Sequence, residues 1–380
     1  NPWRRMKIVV VTQNCFPYIS PRSNRATELA KEFVRQGHDV TLYALLGDVD
    51  YFDFCENTGV KVKNLGKSKY GLLDNGNRRN NNPFYKLVSR YLGNYFDFPK
   101  IELMPLTSKA LGNEGRIDML VTIAHPHTIH WGAAKYIKKH RDKVGYWIAD
   151  CGDPYMLNPG TNYPRYFEYV EKYWCKLCDS ITIPIEEAKK AYYPEFADKI
   201  EIIPQGFDFE NNKLADYKPN DVPTFAFAGL FYKDLRDPVK FLEYLTTVKS
   251  GFRFIIYTKD TPYNRGTFSL DKYQAKLGEK LVIRNFIPRE QLLFELSGYD
   301  FVVNIRNKST VQQPSKLIDY ALAKRPILEI TSDFNEDSVL EDFLVGNYER
   351  QTIVPDIERY NIRNVVGNML SLVKPHDDSF

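Results

Sequence analysis

Short apolar runs alternate along the chain with stretches in which apolar residues return every three or four positions. In the first half, KIVVVT (7–12), DVTLYA (39–44), VKVKNL (60–65), DMLVTI (118–123), VGYWIA (144–149), DSITIPI (179–185) and KIEIIP (199–204) have strand character. Between them, NRATELAKEFVRQG, TIHWGAAKYIKKH and YPRYFEYVEKYWCKLC have helical periodicity. Strands that are apolar throughout and separated by helices predict a parallel sheet covered on both faces.

A second series follows: TFAFAG (224–229), FRFIIY (252–257), KLVIRN (280–285), DFVVNI (300–305) and RPILEI (325–330). The join, IIPQGFDFENNKLADYKPNDVP, is rich in Pro, Gly, Asn and Asp and has the composition of a linker. The pattern therefore predicts an α/β protein of two Rossmann-like domains, residues 1–206 and 207–355, with the cleft between them as the default ligand site. A last amphipathic stretch, residues 356–373, predicts one helix; 356–380 is expected to cross back to the first domain.

The 380 residues also favour two domains by length alone. A hydrophobic share of 43% with 26% charged residues is ordinary for a globular protein and argues against disorder. Net charge is only +4, which gives no case for nucleic-acid binding, but its distribution is uneven. Residues 61–100 carry nine Lys or Arg (61, 63, 67, 69, 78, 79, 86, 90, 100) against Asp74 and Asp97, a local +7 that leaves −3 for the rest. Such a block attracts anionic lipid or phosphorylated ligands; a solvated loop is the plainer reading. No apolar run nears the roughly 20 residues of a membrane helix, and the N-terminus has no secretory signal, so a cytoplasmic protein is expected. The five cysteines (15, 55, 151, 175, 178) form no secreted-type framework. Cys175 and Cys178 make a lone CxxC without a second ligand pair, so no metal is expected.

The first strand runs into QNCFPYISPRSNRATELAKEF without the glycines of a dinucleotide turn. No GxxxxGK[ST] occurs either, so nicotinamide, flavin and P-loop chemistry are disfavoured. A helix is expected to begin near Ser23. Its first-turn amides, with Arg22, Asn24 and Arg25 beside them, form a candidate anion or acceptor loop; two solvated arginines are the plainer alternative.

Six segments in this order resemble a known family: CFPYISPRSNRATELAKEFVRQGHDVTLYA, HPHTIHWGAAKYIKK, WIADCGDPY, IPQGFDF, FAFAGLFYKDLRDPVKFLEYL and PSKLIDYALAKRPIL. Together they resemble the retaining GT-B glycosyltransferases of family 4, over nearly the whole chain. The likeness is strongest to surface and capsular polysaccharide members with a D-x-x-DP segment and a PSKL helix. It implies a nucleotide-sugar, most often a UDP-sugar, held by the second domain, and a glycan or lipid-diphosphate-linked acceptor held by the first.

Residue by residue, the resemblance gives Asp319 the ribose hydroxyls, and gives Ser315 and Lys316 the phosphate at a helix start. A Ser cap with a Lys–Asp pair, contributing a few tenths of a kcal/mol, is the alternative. The family's first acidic residue of this region is replaced by Val311, so sugar hydroxyls fall to Gln312, Gln313 or backbone amides. Gly229 fits the phosphate loop, but Leu230 stands where an Arg is usual. Lys233 or Arg236 then supplies the diphosphate cation, Arg236 being better spaced. Phe286 and Ile287 read the base through their main chains.

On the acceptor side the likeness assigns a sugar-contacting His, best matched by His127, with His125 and His130 next. Asp150 and Asp153 follow a strand end, where one of them orients or deprotonates the acceptor hydroxyl; Asp153 before Pro154 is also a turn cap. The tripeptide DVD at 48–50 is discounted as a metal motif, and the family needs no metal or other cofactor. The implied chemistry is sugar transfer with retention, closure of the domains to exclude water, and a basic, aromatic surface (61–100) facing the inner side of a membrane. Two other readings stand beside it: a nucleotide-sugar epimerase on the same fold, and a non-catalytic protein that binds a nucleotide-sugar or glycan.

Overall fold

In a computed structural model of the protein, residues 5–70, 83–158, 162–306, 315–335 and 338–373 are described. The chain forms two compact units, Asn1–Asp208 with Arg359–Phe380, and Phe209–Glu358.

In the first unit seven strands form one parallel sheet: β1 (Lys7–Val11), β2 (Asp39–Ala44), β3 (Lys61–Asn64), β4 (Ile117–Ala124), β5 (Val144–Cys151), β6 (Ser180–Ile183) and β7 (Ile200–Ile202). Their order is β3-β2-β1-β4-β5-β6-β7, with Val11 opposite Thr122 and Tyr43. The helices are α1 (Pro21–Arg35), α2 (Phe52–Thr58), α3 (Pro83–Phe96), α4 (Leu103–Gly112), α5 (Thr128–Ile137) and α6 (Phe167–Leu177). Successive strand residues point to opposite faces, so each strand feeds two cores. Ile8, Val10, Met119 and Val121 pack with Leu29, Ala30 and Phe33 of α1. Val9, Val11 and Leu120 pack on the other face with Ile129 and Ala133 of α5 and Trp174 of α6. Both faces being dry explains why these strands are apolar without alternation.

The second unit has a five-stranded parallel sheet: β8 (Thr224–Ala228), β9 (Arg253–Tyr257), β10 (Leu281–Arg284), β11 (Phe301–Arg306) and β12 (Ile327–Thr331), in the order β10-β9-β8-β11-β12. Its helices are α7 (Val239–Leu245), α8 (Pro262–Thr267), α9 (Leu270–Leu277), α10 (Arg289–Ser297), α11 (Ser315–Leu322) and α12 (Ser338–Leu344). One face is aromatic, with Phe225 stacked between Phe254 and Phe301 at ring separations of 4.8 and 4.6 Å. Phe241 and Leu242 of α7 and Phe343 of α12 close that core. On the opposite face the Tyr320 hydroxyl of α11 accepts a hydrogen bond from the Ala228 amide at 2.9 Å.

The C-terminal stretch, expected as one helix, is two pieces. A 3-10 turn, Ile357–Tyr360, stops at Asn361, whose side chain caps α13 (Ile362–Leu372) by accepting from the Arg363 amide. The break has a cause: Phe207 donates to Tyr360 O at 2.7 Å and accepts from the Ile362 amide at 2.9 Å. Beyond it, Val365, Val366 and Met369 enter the first unit's core beside α1. Helix α1 starts at Pro21, two residues earlier than expected at Ser23, because Ser20 caps it and proline suits the first turn.

The basic block divides in the structure. Lys61 pairs with Asp39 and Lys63 with Glu114, each at 2.7 Å. Arg78 and Arg79 lie outside the described residues, as do Val311, Gln312 and Gln313. Helix α3, by contrast, buries none of its residues, and Phe84 is 72% exposed. No helix among the described residues is long and apolar enough to cross a membrane.

Candidate functional site

In each sheet the first strand has its successor on one side and a later strand on the other. Between β1 and β4, and again between β8 and β11, the following helices pack on opposite faces. Loops that diverge in this way open a crevice at the carboxyl ends of the two strands, the usual ligand position in open α/β sheets. Most of the residues singled out in the sequence gather at these two points.

At the second unit's crevice β8 is followed by Gly229, whose φ of +156° suits glycine. A Cβ there would overlap Lys316 Nζ and lie 2.9 Å from its Cε, so the absence of a side chain admits the lysine. The loop then turns tightly: Tyr232 and Arg236 exchange backbone hydrogen bonds at 3.1 and 2.8 Å, with exposed Lys233 at the tip. The turn brings Arg236 back beside Lys316. Burial first, and the Arg236 charge second, draw the Lys316 ammonium down to about 8, while Asp319 opposes them. Arg236 Nε is buried without a hydrogen-bond partner among the described residues. Among the described residues neither cation has a carboxylate within ion-pair reach. Two adjacent, partly desolvated cations repel each other, and an anion between them would relieve that repulsion.

Ser315 and Lys316 open α11, the end of a helix that favours negative charge. One turn on, Asp319 Oδ1 accepts from Arg289 Nε at 3.0 Å and from its terminal nitrogen at 2.7 Å. Burial raises the Asp319 carboxyl, and the Arg289 charge works against it. Its second oxygen has no partner among the described residues and remains an acceptor. Phe286 is exposed, Ile287 is half-buried, and neither makes a main-chain hydrogen bond among the described residues. Arg289 and Tyr320 escaped sequence reading, because their partners are 30 and 92 residues away. A surface hollow of about 500 Å³, lined by Lys324, Pro326, Tyr348 and Ile353, lies at the other end of this sheet and takes no part in the cluster.

At the first unit's crevice the Ser20 hydroxyl accepts from the Ser23 amide at 3.1 Å, and the Asn24 amide goes to Ser20 O at 2.9 Å. The helix cap thus uses amides that an anion would need, and Asn24 is left exposed. Arg25, 2% exposed, turns inward. It donates to Asp150 at 3.2 and 2.7 Å and to the carbonyls of Ile203 and Pro204. Asp150, also 2% exposed, further accepts from Thr182 Oγ1 at 2.7 Å. Burial alone would raise its carboxyl; the charge and hydrogen bonds of Arg25, then Arg22 and Thr182, reverse this and hold it low. Arg22 approaches the same carboxylate at 3.4 Å but stays partly accessible. Its guanidinium passes over Gly152, where a Cβ would come within 2.5 Å of Cζ.

The three histidines of HPHTIH have three environments. His130 is fully buried, its Nδ1 2.7 Å from Thr122 Oγ1 and its Nε2 3.4 Å from Cys151 Sγ. Thr122 Oγ1 also accepts from Trp147 Nε1 at 2.8 Å, which leaves its own proton for Nδ1. Burial draws the His130 ring down to about 3, so it is neutral. His127 is 1% exposed, packed against Tyr155 and His130 at ring separations of 5.0 and 5.6 Å, and neither nitrogen has a hydrogen-bond partner among the described residues. Burial and the surrounding positive charge keep it neutral too. Only His125 faces solvent, and its Nε2 lies 2.6 Å from Lys100 Nζ. Asp153 is exposed, and its charge reaches both His125 and Arg22. Lys100 carries no motif signal; only the fold brings it here.

No family model matches the chain, and no curated protein matches its sequence. Its fold does recur among solved structures. A glycosyltransferase from Rickettsia africae ESF-5 superposes with a TM-score of 0.58 at 13% identity, over 98% of this chain and 98% of that one. TarM of S. aureus gives 0.60 at 10% identity, over 99% and 100%. Anabaena Alr3699/HepE, in complex with UDP, gives 0.57 at 12% identity, over 96% and 99%. The fold is therefore the GT-B fold of glycosyltransferases.

Proposed function

We propose that the protein is a glycosyltransferase that moves a sugar from a UDP-sugar to a glycan or lipid-linked acceptor, with retention, in the synthesis of a surface polysaccharide. The observation that carries this reading is the pair Lys316 and Arg236, two cations without a carboxylate partner among the described residues at the switch point beneath Gly229. A diphosphate is the anion that such a pair fits, with the start of α11 adding its dipole. Asp319, steadied by Arg289, would accept the ribose hydroxyls with its second oxygen, and the amides of Phe286 and Ile287 would meet the base. Retention and the polysaccharide setting rest on the segment resemblance, and the donor class is supported by neighbours such as HepE, whose structure holds UDP.

In the first unit Asp153 is the candidate base or orienting group for the acceptor hydroxyl. Asp150 and His127 are buried at the ends of the neighbouring strands β5 and β4. During transfer the bond from the anomeric carbon to the diphosphate oxygen breaks and a bond to the acceptor oxygen forms on the same face. The hydroxyl proton passes to the departing phosphate or to Asp153. Positive charge fixed before the reaction stabilises the leaving diphosphate more than the intact donor, and that difference is catalysis. Since Lys316 and Arg236 supply the charge, transfer is expected to persist in EDTA.

Thermal-shift measurements with UDP-, GDP-, ADP- and CMP-sugars test the reading. A UDP-sugar should raise the melting temperature by mass action, and Lys316→Ala should abolish the rise. A folded protein stabilised by none of the four would overturn it.

A further inference from the structure

We infer that His125, held in one tautomer by Lys100, is the group of the first unit that binds the acceptor hydroxyl, with Asp153 as its counterpart. The inference rests on the reading above for the word acceptor, but its geometry is independent of the second unit. Of the three clustered histidines, His130 has both nitrogens committed and His127 is sealed behind Tyr155 and Trp174. His125 alone meets solvent, at the end of β4 and on the switch point.

The tautomer follows from hydrogen-bond chemistry. A lysine ammonium has three donors and no acceptor, so His125 Nε2, 2.6 Å from Lys100 Nζ, must present its lone pair. In a neutral imidazole the proton then sits on Nδ1, because the bond made by one ring nitrogen fixes the other. Nδ1 has no partner among the described residues, so on this exposed residue one N–H donor is left uncommitted. Lys100 itself is set by the 3-10 turn Lys100–Glu102, which follows the buried Asp97, and Asp97 accepts from Tyr155 Oη at 3.4 Å. A sugar hydroxyl needs one donor and one acceptor. Nδ1–H supplies the first and the exposed Asp153 carboxylate the second. Arg22, lying over Gly152, lines the same mouth. Lys100 is thus a positioning residue, and His125 the one that touches substrate.

The first test is spectroscopic and uses the full chain labelled at histidine nitrogens. Long-range nitrogen–proton spectra should show His125 with its proton on Nδ1, and Lys100→Met should shift it to Nε2. An unchanged tautomer in Lys100→Met would overturn the positioning role. Octyl glucoside, titrated to its solubility limit as a simple hydroxyl probe, should move the His125 signals and leave those of His130 in place. No movement would overturn the hydroxyl site.

Kinetics with a UDP-sugar and the same glycoside form the second arm. His125→Asn, which keeps a donor near the Nδ1 position, should retain more transfer than His125→Gln or His125→Ala. Lys100→Met should raise KM for the glycoside about tenfold with kcat nearly kept. Thermal stabilisation by the UDP-sugar should be the same in all these variants. Absence of that stabilisation in the unaltered protein sinks the transferase reading and leaves the tautomer result to decide this one. Equal transfer by the Asn, Gln and Ala variants sinks the role of His125 alone.

Discussion

The Lys316 ammonium occupies the space that a side chain on Gly229 would fill. The two residues are 87 positions apart in the chain, yet each is defined by the other: the glycine leaves a hole at the end of β8, and the lysine from α11 enters it. This pairing makes the phosphate seat sensitive to a single methyl group.

Gly229→Ala should therefore weaken UDP binding roughly tenfold to a hundredfold, the range of one charge-assisted hydrogen bond. Lys316→Met should weaken it by a similar factor. The decisive measurement is the double variant by calorimetry. Both changes remove the same contact, so the double should bind UDP no worse than Lys316→Met alone. Losses that simply add would show that Gly229 acts by some other route.

The pH dependence of UDP binding follows from the same lysine. Burial and Arg236 draw Lys316 down to about 8 in the free protein, against 10.5 ordinarily. A lysine with a lowered value is charged below it and neutral above it. A bound diphosphate raises the value again, so binding takes up a proton above pH 8. Affinity should be flat below about pH 8 and fall by up to tenfold per unit above it. Lys316→Met should flatten the profile. A dependence that survives in this variant would assign the titration to another group.

Arg25 and Asp150 lead to a prediction about stability. Their pair is almost wholly buried, with the remaining acceptor and donor positions met by Thr182 and two carbonyls. Removing one partner of such a pair leaves an uncompensated charge, at a cost of about 3–5 kcal/mol. Asp150→Asn should lower the urea midpoint of the first unit accordingly, with little response to salt. A midpoint within 1 kcal/mol of the parent protein, on the order of a surface pair, would show that the pair is not sealed.

What the sequence disclosed follows the range over which each feature is determined. The strands were legible because burial on both faces makes them apolar in unbroken runs, as in β1 and β8. Helix ends were misplaced even where the cap is local: Ser20 and Pro21 start α1 two residues before the expected Ser23, and Asn361 breaks a stretch expected as one helix. The direction of Arg25 was not legible. An arginine in a first turn looks solvated until Asp150, 125 residues later, is brought beneath it. Lys100 is hidden for the same reason, since its partner His125 lies 25 residues away on another element. Sequence spacing finds residues that act along one helix or loop; it is blind to those that meet only through the sheet.

The last prediction concerns α3. Its exposed face carries Phe84, Tyr85, Leu87, Tyr91 and Phe96, and its charged residues are Lys86 and Arg90 with no acidic residue among its fourteen. Nothing among the described residues buries this helix. Aromatic and basic side chains on one short helix suit the interface of an anionic bilayer, where tyrosine rings settle and each Lys or Arg contributes about 1 kcal/mol. Vesicles containing phosphatidylglycerol should carry the protein to the top of a flotation gradient at low salt. Neutral vesicles should not. Charge reversal at Lys86→Glu and Arg90→Glu should abolish flotation, and Tyr91→Ser with Phe84→Ser should weaken it. Since these side chains are exposed, the melting temperature should hardly move. Equal flotation with neutral vesicles, or flotation untouched by the charge reversal, would show that lipid charge plays no part and that α3 is covered by something other than a membrane.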